Sequence, residues 1–470
     1  MSARVPAPQP SALVVGGGLA GITAALRLAE AGRRVTLLEA RPRLGGLAFS
    51  FRRGELTVDN GQHVFLRCCT AYRGLIDRLG AGRLVDLQPR LDVPVLGVGA
   101  DGSRTLGRLK RAGLPVPLHL AGSLAGYPHL GPADRLRVVR AALALKALDL
   151  ADPALDRISF GDWLRRHGQT PATLAAMWDL VGVATLNATA DQTSLALAAM
   201  VFKTGLLSDP GASDIGMANV PLGAIHHDAA LAELERAGVR VLLRARAAEL
   251  KPADQHAVRL ESGELLTADT VVLAGAQDAA AALLPPGAIE AQHRLTELGT
   301  APILNVHVVY DRKLLRKPFF AALGSPVQWV FDRTAHSGLA VPGAQYLALS
   351  QSAVQDEIDL PVAELRERYL PELERLLPAA RGARVLDFFV TRERTATFDP
   401  APGTAALRPA ARTDLPGVLL AGSWTATGWP ATMESAVRSG HAAADAALAG
   451  STPPGAGRLP VDRGDGRWPR

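Results

Sequence analysis

Near the amino end the chain carries glycine at the first, third and sixth positions of the run Gly16-Gly17-Gly18-Leu19-Ala20-Gly21. Each glycine suits the handling of a phosphate. Gly16 permits a tight turn, Gly18 lets a pyrophosphate approach the main chain, and Gly21 lets the next helix pack closely on the strand before it. Leu19 and Ala20 open that helix, whose free N–H groups and dipole favour an anion. Glu39 follows 18 residues after Gly21 and can accept hydrogen bonds from both ribose hydroxyls, while its charge repels a 2′-phosphate. Three elements must hold these groups in place: a short apolar strand over residues 11–15, a helix over 22–31 closed by Gly32, and a second strand over 34–38. Strand, glycine turn, helix, strand and acid in that order predict a dinucleotide site.

The residues beyond Glu39 narrow the choice of dinucleotide. Ala40 and Arg41 lead on to Gly45, Gly46 and Leu47. Here the sequence resembles the FAD-dependent amine oxidase and phytoene desaturase superfamily, whose pattern continues past the acid to such a glycine pair. The run Asp59-Asn60-Gly61-Gln62-His63 looks specifically like that of hydroxysqualene dehydroxylases, also called squalene-associated FAD-dependent desaturases. Residues 212–223 and 420–440 support that match, and the resemblance runs from near residue 11 to near residue 448. It implies FAD as cofactor, with the backbone from Ala40 to Leu47 meeting the pyrophosphate and ring edge. It further implies Gln62 and His63 beside the flavin, Ala247 at the adenine end, and Gly422 with Ser423 along the ribityl and pyrophosphate region. Pro430, Ala431, Thr432 and Met433 then fall at the ring. Ser423 stands where the family usually has an acidic residue, a departure expected to weaken FAD binding by about 1.5–3 kcal/mol.

The resemblance implies reduction of an allylic alcohol, hydroxysqualene, to squalene. Loss of water leaves an allylic cation, and reduced flavin returns a hydride. That chemistry needs a proton donor and a dry cavity. His63 is the first candidate donor, since an ordinary histidine titrates in a useful range. Asp59 is a second candidate, and His226, next to His227, is a candidate for the cavity wall. Trp429, and the rings of Phe319, Phe320, Trp329 and Phe331, offer faces to a cation. Each residue also has a plain structural reading, in loop ordering, helix capping or core packing. Two other functions fit the same motifs less well. One is a carotenoid-type desaturase or amine oxidase working with oxidised flavin. The other is a flavin-free isoprenoid escort protein, which has no need of a complete phosphate cradle.

The chain is 470 residues long, 48% hydrophobic and 20% charged, which predicts a folded protein with a sizeable core. Of its 51 bases 45 are Arg and six are Lys, scattered along the chain rather than clustered, so no nucleic acid partner is expected. Cys68 and Cys69 are adjacent, which excludes a disulfide framework and a metal-ligand spacing. The expected fold class is α/β: a Rossmann-like FAD-binding domain with an inserted mixed α+β substrate domain. The first is expected from residues 1–90, 212–290 and 395–450; the second from 91–211, mainly helical, and 291–394, a sheet carrying a helix. Residues 451–470 are expected to form a mobile tail. No apolar window predicts a membrane span. The expected location is cytoplasmic, with residues 106–127 as a peripheral membrane dock for a lipophilic isoprenoid substrate. The electron donor to the flavin is not specified by any motif.

Overall fold

A computed structural model of the chain describes residues 9–290 and 292–450, so the expected tail at 451–470 lies outside the described residues. Five parallel strands form the first sheet, in the order Arg240–Leu243, Arg34–Glu39, Ser11–Val15, Thr270–Leu273 and Val418–Leu420. Their Val- and Leu-rich runs reflect burial on both faces. On one face, helices Leu19–Glu30 and Met433–Ala449 pack together. The approach is close enough that a side chain at Gly440 would press on Thr23, its Cβ 2.8 Å from the Thr23 Cβ. On the other face lies an antiparallel meander, Ala247–Lys251, His256–Leu260 and Leu265–Ala268. The strands of the five-stranded sheet come from all three of the stretches expected to build the FAD-binding part.

A seven-stranded sheet forms the second body, in the order Val385–Thr397, Ala301–Tyr310, Gln345–Ser352, Trp329–Asp332, Phe319–Leu323, Asp92–Val98 and Arg104–Lys110. Helix Val362–Leu376 packs against it through Leu365, Tyr369, Leu373 and Leu376. The last two strands stand at the start of 91–211, a stretch expected to be mainly helical. Asp92-Val-Pro-Val-Leu-Gly-Val alternates in burial, and the hairpin it opens extends the sheet instead. From Pro132 to Leu207 the chain is mainly helical, including Pro132–Ala147, Asp179–Leu186 and Leu195–Phe202. Alternation also divides the expected aromatic cluster. Phe319, Trp329 and Phe331 share one side, whereas Phe320 packs in the core on the other.

Candidate active site

Gly16, Gly18 and Glu39 lie at the carboxyl ends of the parallel strands Ser11–Val15 and Arg34–Glu39, where ligands of such sheets bind. Gly16 leaves the first strand at φ +117°, and a Cβ on it would stand 2.7 Å from the Ala274 carbonyl group. Gly18 caps helix Leu19–Glu30 with extended backbone and no side-chain hydrogen bond, so the helix offers its first N–H groups to a ligand. Gly46, at φ +58°, faces Gly18 so closely that its Cβ would lie 2.9 Å from the Gly18 Cα. Gly45 N–H donates to the Gly17 carbonyl at 2.9 Å and locks the two turns together. The Glu39 carboxylate, buried at the strand end, accepts from Gly17 N–H and Arg41 N–H, both at 2.7 Å. Main-chain bonds from Ala245 to Glu39 and from Arg244 to Arg41 bring the Ala247 segment beside this acid. The uncapped helix and the opposed glycines fit a pyrophosphate, and the acid at the strand end fits an adenosine ribose.

The Gly422–Thr427 turn joins the same rim. Trp424 Nε1 donates to the Gly275 carbonyl at 3.1 Å, and Gly422 N–H donates to Ser439 Oγ at 2.8 Å. Arg408, which no motif indicated, is buried beneath this turn. Its guanidinium donates to the carbonyls of Ser423 at 3.2 Å and Thr425 at 2.5 Å, and to Thr427 Oγ1 at 3.2 Å. Burial draws its pKa down to about 10, so it stays cationic at neutral pH. The Ser423 hydroxyl has no partner among the described residues. Thr432 caps helix Met433–Ala449, which places Pro430 to Met433 at a second helix N-terminus on this rim. At Trp429 one face of the ring is covered by a protein cation, Arg438, which stacks over it at 4.9 Å.

Asp59 and Asn60 act as clamps. Asp59 Oδ1 accepts from Ser50 Oγ at 2.6 Å and from Leu222 N–H at 2.9 Å, and Oδ2 accepts from Arg333 at 2.9 Å. With both oxygens engaged by donors and the side chain buried, Asp59 holds its loop to Ser50, Leu222 and Arg333. Asn60 Nδ2 donates to the carbonyl of Leu47 at 2.8 Å and to Glu393 at 2.9 Å. Behind it runs a buried chain that no motif indicated. Tyr346 O–H meets His307 Nδ1 at 2.6 Å, His307 Nε2 meets Thr391 Oγ1 at 3.1 Å, and Thr391 donates to the Asn60 carbonyl at 3.0 Å. His226 departs from expectation. It is fully buried under Gly45, with Nδ1 on the Ala48 carbonyl at 2.9 Å and Nε2 on Tyr72 O–H at 2.9 Å. Its place is in a π-helical turn, Ala224–Ala229, that supports the glycine pair from below.

His63 and Gln62 face a shallow, open recess lined also by Asp59, Met217, Leu222, Phe331 and Arg333. The His63 ring has no hydrogen-bond partner among the described residues. It retains some accessible surface because it faces the recess, yet it sits deep in the fold, and desolvation draws its pKa from 6.5 to about 4. Glu393, near Arg43, has a carboxyl raised by desolvation, partly offset by its bond to Asn60. Among the described residues no group of three or more His, Cys, Asp or Glu side chains is placed to hold a metal ion.

Burial of histidine has a consequence for stability. Desolvation draws His226 from 6.5 to about 4 and His307 to about 3. Between those values the unfolded chain binds more protons than the fold, so stability rises with pH there. It is complete above the unfolded value and is lost as pH falls toward 4. The two histidines together are expected to remove on the order of a few kcal/mol over that interval. Urea denaturation of the protein at a series of pH values checks this. A midpoint that holds level from neutrality down to pH 4 would contradict the burial of neutral imidazoles.

Comparison with known proteins agrees with this geometry. The family described as flavin containing amine oxidoreductase matches residues 19–448. The chain is 29% identical to hydroxysqualene dehydroxylase of Rhodopseudomonas palustris, over 93% of this chain and 98% of that protein. Against the zeta-carotene desaturase of Arabidopsis thaliana it is 26% identical, over 93% of this chain and 85% of the relative. Among solved structures, a triple mutant of putrescine oxidase superposes with a TM-score of 0.72 at 19% identity, covering 94% of this chain and 99% of that one.

Proposed function

Because the chain belongs to the flavin containing amine oxidoreductases and is an FAD-dependent oxidoreductase, we propose that it reductively removes the hydroxyl of hydroxysqualene to give squalene. The observation that carries this reading is His63, unpartnered among the described residues, beside a recess lined in part by Met217, Leu222 and Phe331, on the segment that Asn60 ties to Leu47. Three similar proteins named hydroxysqualene dehydroxylase, at 27–29% identity over 93% of the chain, support it. Reduced FAD, when bound, supplies the hydride that replaces the hydroxyl, which leaves as water on gaining a proton. Gly16, Gly18, Glu39, Gly45 and Gly46 hold the dinucleotide. Met217, Leu222 and Phe331 keep water from the reacting carbon, and the Trp329–Phe331 pair, stacked with centroids 6.3 Å apart, backs that wall. We assign the 1–90, 212–290 and 395–450 stretches to cofactor binding and 91–211 with 291–394 to the substrate.

His63 supplies the proton in this scheme. With its pKa at about 4, its acidic form is scarce at neutral pH. Turnover should therefore rise as pH falls, about tenfold per unit until the histidine itself titrates. His63→Phe should lower turnover by about 10²- to 10⁴-fold and flatten that profile. The assay is anaerobic: the protein is reduced by light, hydroxysqualene is added in detergent, and recovery of the oxidised flavin band is followed with squalene formation. A band that stays bleached with substrate dissolved overturns the reading. Similarity to zeta-carotene desaturases favours a second reading, polyene desaturation by the oxidised protein. The same assay run from the oxidised state tests it. A lipophilic substrate of either kind implies peripheral contact with a membrane, although no described helix is long and apolar enough to cross one.

A further inference from the structure

Helix Pro132–Ala147 is apolar on two opposite faces. Val138, Ala141 and Leu145 point inward and are buried against Phe160, Trp178 and Phe202. Leu136 and Leu143 lie on the outer face, 60% and 49% exposed, with Val139 at its margin and Leu150 just beyond the helix end. A helix on the surface of a soluble domain ordinarily turns polar residues outward. The neighbouring hairpin and loop continue the patch with Leu106, 66% exposed, and with Leu114 and Leu118. Helix Ala121–Ala125 packs between the hairpin strand and the long helix, so these elements form one surface. Seven of the thirteen exposed large hydrophobic residues of the described chain fall between 106 and 150.

Charge singles out the same surface. Residues 104–147 hold eight bases and one acid, a net +7 where the whole chain carries +6. Arg140 and Lys146 flank the exposed leucines, and they and Lys110 have no acidic partner among the described residues. Exposed leucines ringed by bases match a bilayer whose headgroups are anionic: the apolar side chains enter the acyl boundary and the bases meet phosphate.

The surface is also joined to the recess. The carbonyl of Leu148, at the end of the helix, accepts from Lys203 Nζ. Lys203 begins the π-helical turn Lys203–Leu207, where Gly205 approaches Leu66, a Cβ there lying 3.5 Å from Leu66 Cδ1. Leu66 ends the short strand that starts one residue after His63. The inward side chains of the helix share one continuous apolar core with Leu66, Met217 and Phe331.

We propose that the outer face of Pro132–Ala147, with Leu106, Leu114 and Leu118, docks the protein on an anionic lipid bilayer. This extends the expected dock at 106–127 to a helix outside it, and for its purpose it rests on the isoprenoid reading. The purified flavoprotein is sedimented with phosphatidylcholine vesicles with or without phosphatidylglycerol. Binding to the phosphatidylglycerol vesicles is expected, falling with added salt. Leu136→Glu with Leu143→Glu should weaken it about tenfold or more. Arg140→Glu or Lys146→Glu should each weaken it about fivefold and reduce the preference for phosphatidylglycerol. Flavin absorbance and turnover of detergent-dispersed substrate should stay at wild-type values in all of them. The proposal is overturned if the wild-type protein ignores both kinds of vesicle, or if the leucine variant binds as well as wild type. It is likewise overturned if the wild-type protein sediments as a dimer that the leucine changes dissociate, since a second copy then covers the face. Vesicle binding that obeys these expectations without turnover of hydroxysqualene supports the docking surface and removes the hydroxysqualene reading alone.

Discussion

Gly18→Val is expected to yield a folded protein that purifies without flavin. The residue has extended backbone, φ −75° and ψ 178°, which valine adopts readily. In the protein itself a Cβ there meets no atom nearer than the Gly46 Cα at 3.7 Å, an ordinary contact. What valine does fill is the space above the helix N-terminus, between Gly18 and Gly46, where a pyrophosphate must reach the main chain. Overpacking of this kind costs about 1–3 kcal/mol, or up to roughly two orders of magnitude in FAD affinity. The far-ultraviolet circular dichroism should match wild type while the flavin band is lost on purification, and a given concentration of added FAD should raise the melting temperature less than in wild type. A yellow, stoichiometric Gly18→Val protein would place the phosphates elsewhere. Gly21→Ala is the contrasting control. A Cβ at that position overlaps the Gly16 carbonyl oxygen, so the strand and helix must separate, and the fold suffers along with the cofactor.

That contrast marks what the sequence makes legible. Gly16, Gly18, Gly21 and Glu39 lie within 24 residues of one another, and local geometry dictates their types, so spacing alone reveals the cradle. The parallel strands announce themselves through Val and Leu runs buried on both faces. The surroundings of Asp59 and His63 are another matter. Asp59 meets Arg333, 274 residues away, and Asn60 meets Glu393, 333 residues away. No local pattern encodes either pairing. The acidity of His63 depends on how much protein surrounds it, so the ordinary histidine value assumed from sequence gives way to about 4 once the chain is folded. His226 stands beside a second histidine in a segment that resembles the family, which invites a chemical role. Only the folded π-turn reveals that Tyr72 and Ala48 already occupy both of its nitrogens. Trp429 has a similar history, since Arg438 lies nine positions on and reaches its ring through the shape of the turn before the last helix.

Arg333→Met is expected to be among the most damaging single changes outside the glycine cradle. The Arg333 and Asp59 side chains are 11% and 6% exposed and 2.9 Å apart. Arg333 also donates to the carbonyls of Ala218 at 3.1 Å and Val220 at 3.4 Å, so one guanidinium ties the Asp59 segment to the turn that carries Leu222 and His226. Methionine fills much of the volume but leaves Asp59 buried without its cation, and removing one partner of a buried pair costs about 3–5 kcal/mol. Asp59→Asn alone is expected to cost less, because the amide keeps an acceptor for Leu222 N–H and carries no charge. The decisive result is the double variant. With both charges gone, Asp59→Asn with Arg333→Met should be more stable than the sum of the single losses by about 1–3 kcal/mol. Urea denaturation followed by tryptophan fluorescence measures all four proteins. Strict additivity would mean that the two side chains do not act as a pair. The site would then owe the placement of Gln62 and His63 to Asn60 and the His307 chain behind it.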